Sequence, residues 1–339
     1  MAKTFEPTIN RVEPTRSAEA AIKRGKKLLS EKRFDEALVE FEAVVEQDQA
    51  TPFVLSAIGR IKFKQKDLDG ALKHFKAAIK LDPTQPQAYL RAARIYAAQG
   101  KLANAREELQ NAIRVNPKSA VAYAGLGQLM AREKQTDQAI EQFKKALSFN
   151  PRMMLARKRL ASTLLSKGNL TEAKDQVKAA LRVKPDDPEA YVVMGKVHLA
   201  EKDYDAAQRA YEEAIELKPE SNPAVFLALA EAYIAGGKPV QAEELLNKIP
   251  QRDQFSPMLH KLWGDLYDSK GMHKEALEEY RAASLTVGED LGIERLDSLD
   301  LGGEDVEDEK WEEMASAART ATAAFIEKKR EAGGGNAGA

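Results

Sequence analysis

The apolar residues of this chain recur at the spacing of amphipathic helices, and the helical stripes come in pairs. One stripe stands at positions i, i+3, i+4 and i+7, on one side of a helix: Tyr89, Ala92, Ala93 and Tyr96. A second stripe of the same kind follows over residues 102–113, after the turn-forming sequence QGK. The pattern predicts two helices of about 14 residues each, joined by a tight turn.

The pair of stripes repeats along the chain with a constant period. A proline placed two residues after an apolar residue returns every 34 residues, at Pro83, Pro117, Pro151, Pro185 and Pro219. An alanine stands twelve residues before each of these prolines, and a glycine or alanine stands twelve residues before that alanine. With one extra residue near 220–223, these columns define eight copies between about Ser17 and Ser284.

The two columns of small residues indicate where the paired helices cross. The first column is Gly25, Gly59, Ala93, Gly127, Ala161, Gly195, Ala230 and Gly264; the second is Ala37, Ala71, Ala105, Ala139, Ala173, Ala207, Ala242 and Ala276. Glycine or alanine lets two backbones approach, whereas a larger side chain would hold them apart. The proline cannot continue a helix, so it opens the connection to the next pair.

At these columns the chain resembles the tetratricopeptide repeat family, whose 34-residue unit has the pattern W-x2-L-G-x2-Y, A-x3-F and P. The fourth copy matches best, through Leu126, Gly127, Ala139, Phe143, Ala146 and Pro151. The signature Trp is replaced in every copy, and the first copy lacks the proline. The resemblance covers about 270 of the 339 residues.

The resemblance implies an all-α fold, a right-handed α-solenoid of helix-turn-helix hairpins in which each repeat is stabilised by its neighbours. It also implies a concave groove lined by the first helix of each repeat, and a function in binding peptides or proteins. The fold by itself does not name the partner.

The columns and the composition divide the chain into five parts. We expect a flexible N-terminal extension over residues 1–16, eight repeats over 17–284, an acidic linker over 285–305, an amphipathic helix over 306–332 and a flexible Gly-rich tail over 333–339. The expected repeats are 18–51, 52–85, 86–119, 120–153, 154–187, 188–222, 223–256 and 257–284.

Composition excludes several classes of function. The chain has 52 Lys and Arg and 53 Asp and Glu, and this net charge of −1 favours neither nucleic acid nor membrane. It has no Cys, which excludes disulfides and thiolate sites, and its four His lie far apart. No phosphate-binding loop, catalytic triad pattern, signal h-region or membrane-spanning apolar run is present. We therefore expect a cytoplasmic protein with no enzymatic activity, no cofactor and no metal.

The residues expected to line the groove carry a charge pattern. At 100° per residue, the position just after the first small column points away from the packed side of its helix, as do positions three or four residues from it. The predicted partner-binding residues at these places are Lys26, Arg60, Lys64, Arg94, Gln128, Arg132, Lys158 and Lys196, and the last two repeats place Glu231, Asp265 and Asp268 there. A basic groove with an acidic end would favour an extended partner that carries carboxylates, because Arg and Lys bind them.

The leading prediction is thus a non-catalytic scaffold or adaptor that binds an acidic peptide or protein segment. Two other interpretations stay open. The basic residues could simply keep an exposed helix face soluble. The groove could also bind RNA, although Phe53 and Phe63 are almost the only aromatic side chains available there for base stacking.

The composition changes after the repeats. Residues 289–313 contain twelve acidic residues against two basic ones, a net charge of −10, so the rest of the chain carries +9. Residues 306–332 then have the pattern of an amphipathic helix with a basic last turn, as the helix dipole prefers. Three roles stay open for this region: a cap on the last repeat, docking of the acidic linker into the chain's own basic groove, or binding of a partner by the helix.

Overall fold

A computed structural model describes residues 15–219, 223–249 and 257–285 of the chain. Within these ranges the protein is all-α, with sixteen helices and no strand. The predictions for residues 1–14, for the acidic linker beyond Leu285, for the amphipathic helix and for the Gly-rich tail lie outside the described residues. The helices are α1 (Arg16–Ser30), α2 (Phe34–Glu46), α3 (Pro52–Lys64), α4 (Leu68–Leu81), α5 (Pro86–Ala98), α6 (Leu102–Val115), α7 (Ala120–Arg132), α8 (Thr136–Phe149), α9 (Met154–Ser166), α10 (Leu170–Val183), α11 (Pro188–Ala200), α12 (Tyr204–Leu217), α13 (Pro223–Ala235), α14 (Pro239–Leu246), α15 (Pro257–Ser269) and α16 (His273–Leu285).

The helices form consecutive hairpins, each made of an odd-numbered helix and the even-numbered helix that follows it. The chain divides into two compact units, the first ending at Met153 and the second beginning at Met154, with four hairpins in each. Within a unit, an even-numbered helix also packs against the next odd-numbered helix, as α4 does against α5. The prediction of an all-α helical-repeat solenoid is confirmed.

The periodic prolines lie where the sequence pattern predicts a break. Each of the five stands two residues beyond the end of an even-numbered helix, as Pro83 does after Leu81. Helix α1 begins at Arg16, and the side chain of Thr15 caps it by accepting a hydrogen bond from the backbone N–H of Ala18 at 3.4 Å.

The small columns are packed inside the hairpins. All eight alanines of the second column are fully buried. Each of the five glycines of the first column lies against the aromatic ring of the residue sixteen positions later in the sequence. Sixteen positions after each of the three alanines of that column, the sequence has an aliphatic residue. The glycine pairs are Gly25–Phe41, Gly59–Phe75, Gly127–Phe143, Gly195–Tyr211 and Gly264–Tyr280; the alanine pairs are Ala93–Leu109, Ala161–Val177 and Ala230–Leu246.

The turn inside each hairpin has one conformation that recurs eight times. Seven residues after each member of the first small column, the backbone has a positive φ, at Lys32, Lys66, Gly100, Lys134, Gly168, Lys202, Gly237 and Gly271. At the end of α3, Lys66 donates its N–H to the carbonyl of Phe63 and Asp67 donates to that of Lys62, at 3.1 and 2.9 Å. These two hydrogen bonds form a Schellman motif, which ends the helix and reverses the chain.

Candidate functional site

The candidate site in the first unit lies on the odd-numbered helices, on the side away from their even-numbered partners. The small column holds one side of α1, α3 and α5 against the hairpin partner, so the next residue along the helix points outward. That residue is Lys26 in α1, Arg60 in α3 and Arg94 in α5, and all three are exposed. We call these three side chains the basic row.

The charges of the basic row are not neutralised within the part of the chain that the structure describes. None of Lys26, Arg60 and Arg94 forms a salt bridge with a described residue. Many other cations of the chain do, for example Arg24 with Glu40 at 2.8 Å. The basic row therefore presents three positive charges to an external group.

Two phenylalanine rings of α3 support the ends of the basic row. The Nζ of Lys26 lies 4.5 Å from the centroid of the Phe53 ring, and the Cζ of Arg94 lies 5.2 Å from that of Phe63. Contacts of this kind between a cation and an aromatic face contribute about 0.5–1 kcal/mol at exposed sites. They hold both charges in place above α3, where Arg60 lies between the two rings in the sequence.

A fourth basic residue, Arg91, adds to the positive charge beside the row. Although Arg91 is exposed, partial desolvation by its neighbours lowers the pKa of its guanidinium, and the charges of Arg60 and Arg94 lower it further. Sequence reasoning missed this residue, although its position one helical turn before Arg94 is a usable signal. Repulsion among the three guanidinium groups makes an incoming carboxylate favourable there.

An open depression adjoins the row at its first member. Its lining combines apolar and charged side chains from α1 and the start of α3: Glu19, Ile22, Lys23, Lys26, Thr51 and Phe53. The Phe53 side chain is 39% exposed, which is unusual for a phenylalanine. The site therefore offers apolar contact next to its charges.

The other predicted residues of the first unit differ from the row in their surroundings. Lys64 lies with its Nζ 3.9 Å from the ring centroid of Phe34, the first residue of α2, near the turn of a hairpin. Arg132 donates from Nη1 to the carbonyl of Ala97 at 3.3 Å. Gln128 occupies the position of the row in α7 and is exposed, but it carries no charge.

In the second unit, Lys158 has its charge paired inside the chain. Its Nζ lies 2.8 Å from Asp187 and 2.5 Å from Glu189, and the side chain is only 14% exposed. Burial by itself lowers the pKa of Lys158, but hydrogen bonds to these two carboxylates outweigh burial and raise the pKa. Lys196 is exposed on α11.

Among the predicted acidic groove residues of the second unit, Asp265 also has partners inside the chain. Asp265 accepts a hydrogen bond from the hydroxyl of Tyr280 at 2.8 Å and forms a salt bridge with Lys261. Asp265, Asp268 and Glu231 line an open depression on α13 and α15. The three acidic residues predicted for the last two repeats thus lie together on α13 and α15.

The described residues contain no group of three or more His, Cys, Asp or Glu side chains that could hold a metal ion. Over the same residues, every helix is too short or too polar to cross a bilayer. The chemistry that the described arrangement offers is ionic and apolar contact with a binding partner.

Family models described as tetratricopeptide repeat match residues 22–86, 62–132, 130–197 and 198–266, most of the chain. No curated protein matches it.

Similar solved structures include a tetratricopeptide repeat protein from Parabacteroides merdae, at 17% identity and a TM-score of 0.57 over 79% of this chain and 98% of that one. The type IV pilus biogenesis factor PilW has 19% identity and a TM-score of 0.57, over 61% of this chain and 96% of PilW. The APC/C hetero-tetramer Cut9-Hcn1 has 17% identity and a TM-score of 0.61, over 90% of this chain and 56% of that one. At these identities the similarity shows the fold alone.

Proposed function

Because the chain belongs to the tetratricopeptide repeat family, whose members generally mediate interactions between proteins, we propose that it is a non-catalytic cytoplasmic scaffold or adaptor whose basic row binds an extended acidic segment of a partner protein. This proposal rests on the exposure and the surroundings of Lys26, Arg60 and Arg94. All three are exposed and form no salt bridge with a described residue, and rings of α3 support the first and the last.

The kind of partner follows from the chemistry of these side chains. Guanidinium groups bind carboxylates through two parallel hydrogen bonds, and an ammonium group binds them as a point charge. The exposed ring of Phe53 and the partly buried Ile22 add apolar contact beside Lys26. We therefore expect a segment that carries acidic side chains together with apolar ones.

The proposal is tested with the double variant R60E/R94E and fluorescently labelled acidic peptides. We expect the variant to lose at least about tenfold in affinity, since each exposed ion pair contributes roughly 0.2–1 kcal/mol and reversal replaces attraction with repulsion. Affinity should also fall with salt, because exposed charges are screened over about 8–10 Å.

The matched control is K73E/K80E, which makes the same change of charge on α4, where both lysines are exposed. If this control weakened binding as much as R60E/R94E, net charge rather than the basic row would explain the affinity. Unchanged binding by R60E/R94E would contradict the proposal.

Single-stranded nucleic acid is the second candidate, and the exposed Phe53 is the observation that favours it, because aromatic rings beside cations can stack with bases. A single-stranded oligonucleotide of matched charge belongs in the same titration. If it bound more tightly than the acidic peptides, with a steep dependence on salt, the partner would be nucleic acid.

A further inference from the structure

Three arginines of α3 and α5, Arg60, Arg91 and Arg94, form a group that we call the arginine cluster. The guanidinium carbon of Arg94 lies 5.2 Å from the ring centroid of Phe63, so this side chain reaches from α5 to α3. Arg60 precedes Phe63 by one helical turn, and Arg91 precedes Arg94 by one turn. Desolvation and then the charges of Arg60 and Arg94 lower the pKa of Arg91. The three positive charges therefore act on one another across the two helices.

The positive charge of the arginine cluster is not offset by the described part of the chain. All three side chains are exposed, and none of them forms a salt bridge with a described residue. Arg24 has the opposite surroundings, because its hydrogen bond to Glu40 raises its pKa. Arginine keeps its proton at neutral pH even where its pKa is lowered, so the cluster cannot relieve its repulsion by deprotonation. A bound anion would relieve it.

A phosphate monoester matches the arginine cluster better than a single carboxylate does. A carboxylate carries one negative charge and two oxygens, which the fork of one guanidinium can occupy. A phosphorylated serine or threonine carries a charge of about −1.5 to −2 at pH 7 and has three strong acceptor oxygens. It can therefore accept hydrogen bonds from more than one guanidinium and offset more of the positive charge. Arginine clusters are a general means of recognising phosphorylated segments.

The surface beside the arginine cluster suits a polypeptide better than a nucleic acid. Phe53, on the same helix as Arg60, is 39% exposed and lines the depression next to Lys26. The Nζ of Lys26 lies over the Phe53 ring, 4.5 Å from its centroid, and Arg94 covers the Phe63 ring in the same way. A base would have to displace these cations to stack on the covered faces, whereas an apolar side chain of a peptide can pack in the depression.

Building on the proposed function, we propose that the arginine cluster binds a phosphorylated serine or threonine within the acidic segment of the partner protein. The phosphate accepts hydrogen bonds from Arg60, Arg91 and Arg94, and Lys26 and the depression beside it contact the residues that flank the phosphorylated position. Phosphorylation of the partner would then strengthen its binding to this chain.

The test compares three forms of one labelled peptide library, titrated with the full chain and followed by fluorescence anisotropy. The central residue is phosphoserine, glutamate or serine, and the flanking positions vary among Glu, Leu, Ala and Gly in all three forms. We expect the phosphoserine form to bind about tenfold more tightly than the glutamate form, because it adds charge and charge-assisted hydrogen bonds. Equal affinities of these two forms would overturn the inference. Tighter binding of a single-stranded oligonucleotide of matched charge would also overturn it, since nucleic acid would then be the source of the phosphate.

Arg91 gives a variant of the arginine cluster that leaves the basic row intact. We expect R91Q to reduce the preference for phosphoserine over glutamate to about two- to threefold, and R91K to have an intermediate preference, because an ammonium group binds as a point charge. The matched control is R114Q, on the exposed Arg114 of α6, which should keep the full preference. The same preference in R91Q, R91K and R114Q would show that the cluster does not hold the phosphate.

Two outcomes distinguish this inference from the proposed function. If the glutamate form bound through Arg60 and Arg94 with the same affinity as the phosphoserine form, only this inference would fail. If R60E/R94E bound every form of the library as the unmodified chain does, the proposed function would fail.

Discussion

Gly127 lies beneath the ring of Phe143, in the space that a side chain would otherwise occupy. A Cβ atom built on Gly127 would stand 2.9 Å from both Cδ1 and Cε1 of that ring. Carbon atoms in favourable contact are about 3.5–4.0 Å apart, so any side chain at position 127 would displace the ring or separate α7 from α8. The ring itself is fully buried.

This contact predicts a compensating pair of substitutions. We expect G127A to destabilise the protein by about 1–3 kcal/mol through overpacking, and F143L to destabilise it by leaving a cavity. The double variant G127A/F143L should lose less stability than the two single variants lose together. It reproduces the combination of Ala93 with Leu109 that the third hairpin already has. Urea unfolding followed by circular dichroism measures the three variants; strictly additive losses would contradict the contact.

The turns predict a stabilising substitution. Lys66 has a φ of 64°, and Gly100 has a φ of 74° at the equivalent place in the third hairpin. A residue with a Cβ is strained in this region by about 1 kcal/mol, and glycine is not. We expect K66G to raise stability by about 0.5–1 kcal/mol and G100A to lower it by a similar amount.

The control for the turn is K66A, which removes the lysine side chain and keeps the strain, so its stability should stay close to that of the unmodified chain. The space around Gly100 is open, with no atom within 4 Å of a built Cβ, so the expected loss in G100A is due to backbone conformation and not to a clash. A loss of stability in K66G would show that the lysine side chain matters more than the strain.

His74 predicts a loss of stability in mild acid. Burial, followed by repulsion from Lys62 and Lys73, lowers the pKa of this imidazole to about 4, below its usual value near 6.5. Because the folded state favours the neutral ring, its contribution to stability is fully present above about pH 6.5 and is lost as the pH falls toward 4. The ring is only partly buried, so we expect a loss of about 1–2 kcal/mol.

The measurement compares the unmodified chain with H74Q by urea unfolding at pH 7.5 and at about pH 4.5. Glutamine does not titrate, so the variant should lose less stability between the two pH values than the unmodified chain. The same loss in both proteins would assign the acid sensitivity to other groups.

The fold could be predicted from the sequence because its signals are local and repeated. The period of the prolines, the two small columns and the helical stripes all depend on contacts inside one hairpin or between adjacent hairpins. The pairing of glycine with an aromatic ring is visible in the sequence as well, at a separation of sixteen residues, but only the geometry of Gly127 and Phe143 explains it.

The surroundings of individual charges could not be predicted in the same way. Lys158 and Arg94 belong to the same helix face by sequence pattern, yet one is paired with Asp187 and the other lies on the ring of Phe63. Such contacts join residues about thirty positions apart on different helices, and they depend on the rotamers of long side chains. Helical periodicity assigns a residue to a face but does not say which neighbour its charged end reaches.

The glycine–ring contact also bears on how such an array can be inherited. Both members of each pair belong to one hairpin, and the prolines mark the boundaries between hairpins. A genetic crossover at a proline therefore transfers both members together. A crossover inside a hairpin, between Gly127 and Phe143 for example, could join glycine to leucine, which leaves a void, or alanine to phenylalanine, which creates a clash. The segment from proline to proline is thus the unit that duplication can add or remove without disturbing this contact elsewhere.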